Sequence, residues 1–338
     1  MSSHPQQQLA MMLRLLNGHC IEQGLHVVAT LGIADLLRDG AKTSKQLADA
    51  TGVDAAALHR LLRMLAATDV FDEGENGEFA LTELGATLRS DVVNSARDRA
   101  IFYGASDMWA VWGQLMHSVQ TGASAFEQTH KQGFYEYLSG HLDVGAPFNR
   151  YMTKSSEQHI APLLGAYDFT QFRSLVDVGG GQGGTLAAIM LACPKLRGVL
   201  YDLPKVVEGA KAFEVAGIAE RVIRIGGDMH QNVPSGNDGY LIKWVLMDRS
   251  DEDAVQVLRN CRKAMAENGK VIVVEMLLPK RKPPINAALL DVQMMLLSGK
   301  ACLRSEDEFR KVFELAGLRL AQVLPTDSPN TILEGVCA

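Results

Sequence analysis

The chain has 338 residues, of which 47% are hydrophobic and 21% charged, with a mean hydropathy of +0.01 and a formal net charge of −6. That length allows two or three domains and a large core, and the composition is too apolar for disorder and too evenly mixed for a membrane protein. An acidic chain attracts neither phosphate backbones nor anionic lipid, which excludes nucleic acid and membrane surfaces as expected partners and points to a small molecule or a protein.

The start, Met1-Ser-Ser-His-Pro, lacks the basic and apolar regions of a secretory signal, and no run of about eighteen uncharged apolar residues follows, so a cytoplasmic location is expected. Five cysteines, at 20, 193, 261, 302 and 337, are scattered without a C-x-x-C pair, which suggests neither a disulfide framework nor a thiolate zinc site. No H-E-x-x-H or comparable cluster argues for another metal.

From about residue 8 to 39 apolar positions recur at helical spacing: Leu9, Met12, Leu13 and Leu16, then Val27, Leu31, Ala34 and Leu37. Thr43-Ser44-Lys45-Gln46 is a capping box opening a short helix to about Ala50. After a turn at Thr51-Gly52-Val53, Asp54 caps a second helix that presents Leu58, Leu61, Leu62 and Leu65. Strand-like Val70-Phe71, the Glu73 to Gly77 turn and Phe79-Ala80-Leu81 complete a winged-helix pattern. Residues 1–100 carry nine Lys and Arg against thirteen Asp and Glu, and the second helix offers only His59, Arg60 and Arg63. Duplex binding is thereby disfavoured, and the motif is expected to serve dimerisation.

Helical texture returns from about 98 to 165, where ten of the 21 aromatic residues fall between Phe102 and Tyr151. Most are expected in a helical core and a minority around a flat organic ligand. After Phe172 short β-branched runs alternate with helices, the texture of a parallel α/β sheet. Strands are predicted near Leu175 to Val178, Gly198 to Tyr201, Val222 to Ile225, Tyr240 to Val245 and Val271 to Met276. A final antiparallel hairpin is predicted over Leu318 to Leu324 and Thr331 to Val336. The expected domains are 1–100, a helical segment 101–166, and 167–338.

The first of these strands runs into Gly179-Gly-Gly-Gln-Gly-Gly184 and then a helix, which puts a Gly-rich turn and a helix N-terminus at the carboxyl edge of the sheet. Gly179, Gly181 and Gly184 satisfy the dinucleotide pattern G-x-G-x-x-G, while Asp177, Gly179, Gly181 and Gly183 satisfy the D-x-G-x-G-x-G of methyltransferases. The turn alone does not choose between them. The next strand ends in Asp202, whose carboxylate can accept hydrogen bonds from ribose hydroxyls in either cofactor. The third ends in Gly227-Asp228-Met229, placing a second carboxylate and a thioether where an adenine would lie. Two acids on successive strand ends, with an antiparallel last strand unusual for dinucleotide folds, favour S-adenosylmethionine.

Phe148-Asn149-Arg-Tyr-Met152, Leu175-Val-Asp-Val-Gly-Gly-Gly, Tyr201-Asp202-Leu203-Pro204, Gly227-Asp228-Met229 and Lys243-Trp244-Val-Leu-Met-Asp248 carry a resemblance over nearly the whole chain. The chain resembles the two-domain, metal-independent small-molecule O-methyltransferases of the plant caffeic acid and chalcone type and their bacterial natural-product relatives. The resemblance implies a Rossmann-like seven-stranded methyltransferase sheet with a terminal antiparallel hairpin, an N-terminal helical winged-helix dimerisation domain, and a homodimer acting on a small aromatic or polyketide-like metabolite. It also implies that Asp202 binds the ribose, Asp228 and Met229 the adenine, and Lys243 the cofactor side of the site. Gly179 and Gly181 would allow close backbone approach, with Asp177 and Leu203 in the same motifs.

One departure stands out. In catalytic members of that family the residue before Asp248 is a histidine that deprotonates the acceptor hydroxyl and the residue after it is tryptophan; here they are Met247 and Arg249. The flanking carboxylates are matched by Glu275 and Glu306, and Asp248 is expected to orient the acceptor or a water. Methionine cannot take a proton, so three chemistries stay open: an acceptor hydroxyl acidic enough to react by proximity and orientation, a carbon or nitrogen nucleophile, or a retained cofactor pocket used for decarboxylation, hydroxylation or cyclisation. Among nine histidines, His230, His117, His130 and His141 are the candidates to replace the base. Phe148, Asn149, Met152, Trp244, Met247, Asp291, Met294 and Met295 are expected around the acceptor, between the helical middle segment and the carboxyl edge of the sheet. A nicotinamide oxidoreductase and a winged-helix regulator are the competing readings.

Overall fold

The computed structural model describes residues 4–93 and 95–338, and the chain folds as two compact units. Residues 1–110 with 138–154 form one, and residues 111–137 with 155–338 the other. The segment 101–166, expected as a stretch of its own, is therefore shared between them.

In the first unit the predicted helical stretch over 8–39 is three helices, His4–Leu16, Gly18–Thr30 and Ile33–Leu36. The Thr43 capping box forms as predicted: Thr43 Oγ1 accepts the Gln46 N–H (3.3 Å) and Gln46 Oε1 accepts the Thr43 N–H (2.9 Å), opening the helix Ser44–Thr51. Asp54 Oδ1 accepts the Ala57 N–H (2.7 Å) and opens Ala55–Ala66. Strands β1 (Lys42–Thr43), β2 (Phe71–Glu73) and β3 (Glu78–Leu81) make a small antiparallel sheet in the order β1-β3-β2. Leu47, Leu58, Leu62, Leu65, Phe71 and Phe79 close its core.

The second unit is built on seven strands: β4 (Ser174–Val178), β5 (Arg197–Asp202), β6 (Val222–Gly226), β7 (Gly239–Lys243), β8 (Lys270–Met276), β9 (Leu318–Pro325) and β10 (Asn330–Cys337). Their order is β6-β5-β4-β7-β8-β10-β9, parallel through β8, with β10 antiparallel between β8 and β9. Alternate residues feed opposite faces, as period two requires. Val176, Tyr240, Ile242, Val271 and Val273 enter one core cluster, and Leu175, Leu241, Ile272 and Val274 the other. The chain leaves β4 toward β5 on one side and returns as β7 on the other, which opens a crevice at the carboxyl ends of the strands. Strand β7 stops at Lys243, two residues before its predicted end, because Trp244 adopts φ +57° and turns the backbone out of the ladder.

Candidate active site at the carboxyl edge of the sheet

The Gly-rich turn is pinned to its neighbour strand, since the Gly179 N–H donates to the Tyr201 carbonyl (2.8 Å). Gly179 has φ +72°, and a Cβ there would lie 2.7 Å from Val245 Cγ2; Gly181 has φ +58°. Side chains are excluded at the first position by both strain and space. The turn delivers its backbone to the N-terminus of the helix Gly184–Ala192, at the carboxyl end of β4.

Asp202 joins this turn directly. Its Oδ2 accepts the Gly181 N–H (2.8 Å) and its Oδ1 accepts the Leu203 N–H (2.7 Å). Burial raises its pKa, while the two N–H groups and Arg249 pull the other way. Asp177 is buried at the end of β4, one carboxylate oxygen has no hydrogen-bond partner, and burial pushes its pKa up to about 7 against the opposing pull of Lys243. Lys243 ends β7. Burial lowers its pKa to about 8, with Asp177 and Glu275 favouring its charged form. Its Nζ donates to Ser156 Oγ (2.8 Å) and lies 3.5 Å from the centroid of the Trp244 ring. Ser156 Oγ is in turn 3.1 Å from Thr185 Oγ1 on the Gly-turn helix. Trp244 Nε1 donates to Asn330 Oδ1 (2.9 Å), and the His159 ring meets its indole edge-on.

After β6, Asp228 closes its own turn: Oδ1 accepts the His230 N–H (2.9 Å) and Oδ2 accepts from Gln231 Nε2 (3.2 Å). Met229 packs its thioether against the sheet core, and its carbonyl accepts from Asn260 Nδ2 (2.8 Å).

Beyond Trp244 the short turn Leu246–Asp248 is held from two sides. Glu275, only 1% exposed at the end of β8, accepts the backbone N–H groups of Val245 (3.1 Å), Leu246 (2.9 Å) and Met247 (3.4 Å) on Oε1, and its Oε2 has no partner. Burial and the neighbouring Asp248 carboxylate push its pKa up to about 8; the N–H groups and Arg304 oppose them. Arg304, 2% exposed, donates to Asp251 Oδ1 (2.7 Å) and to the carbonyls of Leu246 (2.7 Å) and Arg249 (2.9 Å). Asp248 Oδ2 accepts a hydrogen bond from the Tyr135 hydroxyl, and burial raises its pKa while Tyr135 and Arg249 lower it. Met247 is buried between these anchors.

Of the acids expected to flank the reaction, the structure brings Asp248 and Glu275 together. Glu306 is the first residue of the helix Glu306–Leu315, half-exposed, and bonded to Arg310 (2.7 Å) one turn along that helix. There it complements the positive end of the helix, a structural use. Asp291, expected beside the acceptor, spends one oxygen on the Leu303 N–H (2.8 Å). Met294 is buried and Met295 half-buried on the helix Ile285–Ser298. Phe148, Asn149 and Met152 fall in the first unit, where Phe148 packs on Phe102 with ring centroids 5.1 Å apart. His130 packs between Phe126 and Tyr137. Sequence reading missed Tyr135, Ser156, His159, Arg304 as a loop anchor, and Asn330.

A parallel sheet with an inserted antiparallel strand, a Gly-rich turn after β4 and a carboxylate at the tip of β5 defines a nucleoside-cofactor enzyme of the methyltransferase kind. Residues 112–319 match the O-methyltransferase domain and residues 13–91 the O-methyltransferase dimerisation domain. The chain belongs to this O-methyltransferase family. It is 38% identical to a phenazine O-methyltransferase of Lysobacter antibioticus, over 96% of this chain and 95% of that one. It is 36% identical to a mitomycin biosynthesis 6-O-methyltransferase of Streptomyces lavendulae, over 95% and 92%. A solved methyltransferase of calicheamicin biosynthesis, in its SAH-bound form, superimposes with a TM-score of 0.85 at 33% identity over the full length of both chains. Among the described residues, no helix is long and apolar enough to cross a membrane.

Proposed function

We propose that this chain transfers the methyl group of S-adenosylmethionine to an ionisable hydroxyl of a small aromatic or polyketide-like metabolite, acting as a homodimer. The observation that carries the reading is the Asp202 carboxylate anchored by the Gly181 and Leu203 N–H groups beside a turn whose glycines leave room for a ligand. The donor set fits the cofactor: Asp202 for the ribose diol, Asp228 and Met229 for the adenine, the Gly179 and Gly181 backbone with Leu203 for close approach. Asp177, with its orphaned buried oxygen, and Lys243 add a carboxyl and an amine, both titrating near neutral pH. When bound, the cofactor supplies a methyl carbon activated by its sulfonium.

The chain's own residues then have positional tasks. Glu275 and Arg304 hold the turn carrying Met247 and Asp248 from its N–H and its C=O sides, so the acceptor meets a fixed wall. Met247 stands where the resemblance implies a histidine base, and its thioether holds no proton-accepting nitrogen. Trp244, Met294 and Met295 offer apolar surface to a planar substrate. The match to a dimerisation domain and the exposed Leu9, Met12, Leu13 and Leu16 on the first helix support self-association.

The test is incubation with S-adenosylmethionine and a panel of hydroxylated phenazines, naphthoates and quinones, read by mass spectrometry for a product heavier by one methylene and for the demethylated cofactor. Coupled appearance of both supports the reading. Cofactor bound but never demethylated on any acceptor refutes it.

A further inference from the structure

We infer that Tyr135 and Asp248 form a proton relay in place of a histidine base: the Tyr135 phenol takes the proton of the acceptor hydroxyl while its own proton passes to the Asp248 carboxylate. The inference rests on the methyl-transfer reading given above.

Three features of the geometry lead to it. Tyr135 lies on the helix Phe134–Gly140, 113 residues before Asp248 in the chain, yet its hydroxyl donates directly to Asp248 Oδ2. Phe134, buried next to it, anchors the helix, and although part of the Tyr135 side chain is exposed, its hydroxyl is desolvated against Asp248. A hydroxyl that donates to a carboxylate keeps acceptor lone pairs, so one phenol oxygen can receive a proton on one side and release one on the other. Asp248 directly follows Met247, so the relay ends one residue from the position the resemblance assigns to the base.

The charges around the pair support this use. Asp248 is faced by Tyr135, Arg249 and Glu275; Tyr135 is faced by Asp248, Arg249 and Asp202. Desolvation around the hydroxyl, then the Asp248 carboxylate, holds the Tyr135 phenol well above its ordinary pKa, so it carries its proton at neutral pH. Burial raises Asp248 and makes it a stronger base than a solvated carboxylate, while the Tyr135 hydrogen bond and Arg249 oppose that shift. Asp202 adds to the hold on the Tyr135 proton, which places the phenol within electrostatic reach of the carboxylate assigned to the ribose.

The step balances. The acceptor O–H bond breaks and its electron pair forms the new O–CH3 bond; the departing sulfur keeps the electrons of its methyl bond. The released proton goes to Tyr135 Oη, the Tyr135 proton to Asp248 Oδ2, and the neutral Asp248 later returns it to water.

The experiment compares wild type, Tyr135→Phe and Asp248→Asn at saturating S-adenosylmethionine on phenols of graded acidity, with thermal midpoints measured alongside. Tyr135→Phe is expected to lose about 10²-fold in kcat on weakly acidic phenols, almost nothing on nitrophenols that ionise unaided, and the acidic limb of the pH profile. Adding Met247→His to Tyr135→Phe is expected to restore that loss. A turnover-free readout is the visible phenolate band of 4-nitrophenol on protein saturated with the demethylated cofactor: the bound phenol should ionise at lower pH in wild type than in Tyr135→Phe. Wild-type transfer with an unchanged pH limb and unchanged dependence on phenol acidity in Tyr135→Phe overturns the relay alone. Wild type that methylates nothing overturns the methyl-transfer reading and the relay with it.

Discussion

Glu275 offers a perturbation whose size follows from its surroundings. Its carboxyl is buried against three backbone N–H groups, and its pKa rises from 4.5 to about 8. The folded carboxyl therefore stays protonated while the unfolded one ionises. The stability this confers is fully present below about pH 4.5 and lost progressively as pH rises to about 8. Glutamine keeps an oxygen for the three N–H donors and cannot ionise, so Glu275→Gln removes this pH dependence and leaves the turn in place. Below about pH 4.5 the two proteins should be close in stability, since the protonated carboxyl and the amide each leave a donor unpartnered at the Oε2 position. Between about pH 5 and about pH 8 the wild type should lose about 3 kcal/mol relative to the variant. Asp177 titrates in the same range in both proteins and cancels in the difference, whereas Lys243, whose charged form Glu275 favours, cancels only in part. Urea unfolding at a series of pH values measures it. Parallel stability curves for the two proteins would mean that Glu275 is ionised in the fold, and the reasoning would be wrong.

Other outcomes follow from the same contacts. Arg304→Ala should cost about 2–4 kcal/mol, because it removes a buried side chain and leaves the Leu246 and Arg249 carbonyls without their donor while the largely exposed Asp251 is taken up by water, and should lower kcat more than the affinity for the cofactor; urea unfolding and steady-state kinetics separate the two effects. Gly179→Ala places a Cβ against Val245 at positive φ and should cost about 1–3 kcal/mol with loss of cofactor affinity, visible as a lower thermal midpoint and a vanished ligand-induced shift. Glu306→Gln should leave kcat within about twofold, since its partner is the exposed Arg310; a larger loss would return it to the reaction.

Local signals in the sequence carry the fold well. Thr43 with Gln46, and Asp54, announce helix starts by a chemistry confined to four residues, and short β-branched runs between helical stretches announce the buried parallel strands. Strand β7 ends earlier than its residue pattern predicts, because the chain turns at the positive φ of Trp244, whose indole reaches Asn330, and this leaves no trace in that pattern. Asp202 is legible for the same local reason as the helix starts, lying at a strand end a fixed distance after the Gly-rich turn. Tyr135 is not, since its meaning depends on a contact across 113 residues. Spacing alone also does not tell Glu306, at a solvent-facing helix start, from Glu275, at a buried strand end; burial decides what each carboxyl does.

The central claim is that the carboxyl edge of the sheet holds S-adenosylmethionine through Asp202. Titration calorimetry of the wild type and Asp202→Ala with S-adenosylmethionine and its demethylated product tests it most directly. Loss of two charge-assisted hydrogen bonds to a ribose diol should weaken binding about 10²-fold or more in the variant. Equal affinity in the two proteins, or binding of a nicotinamide cofactor and not of S-adenosylmethionine, would contradict the account.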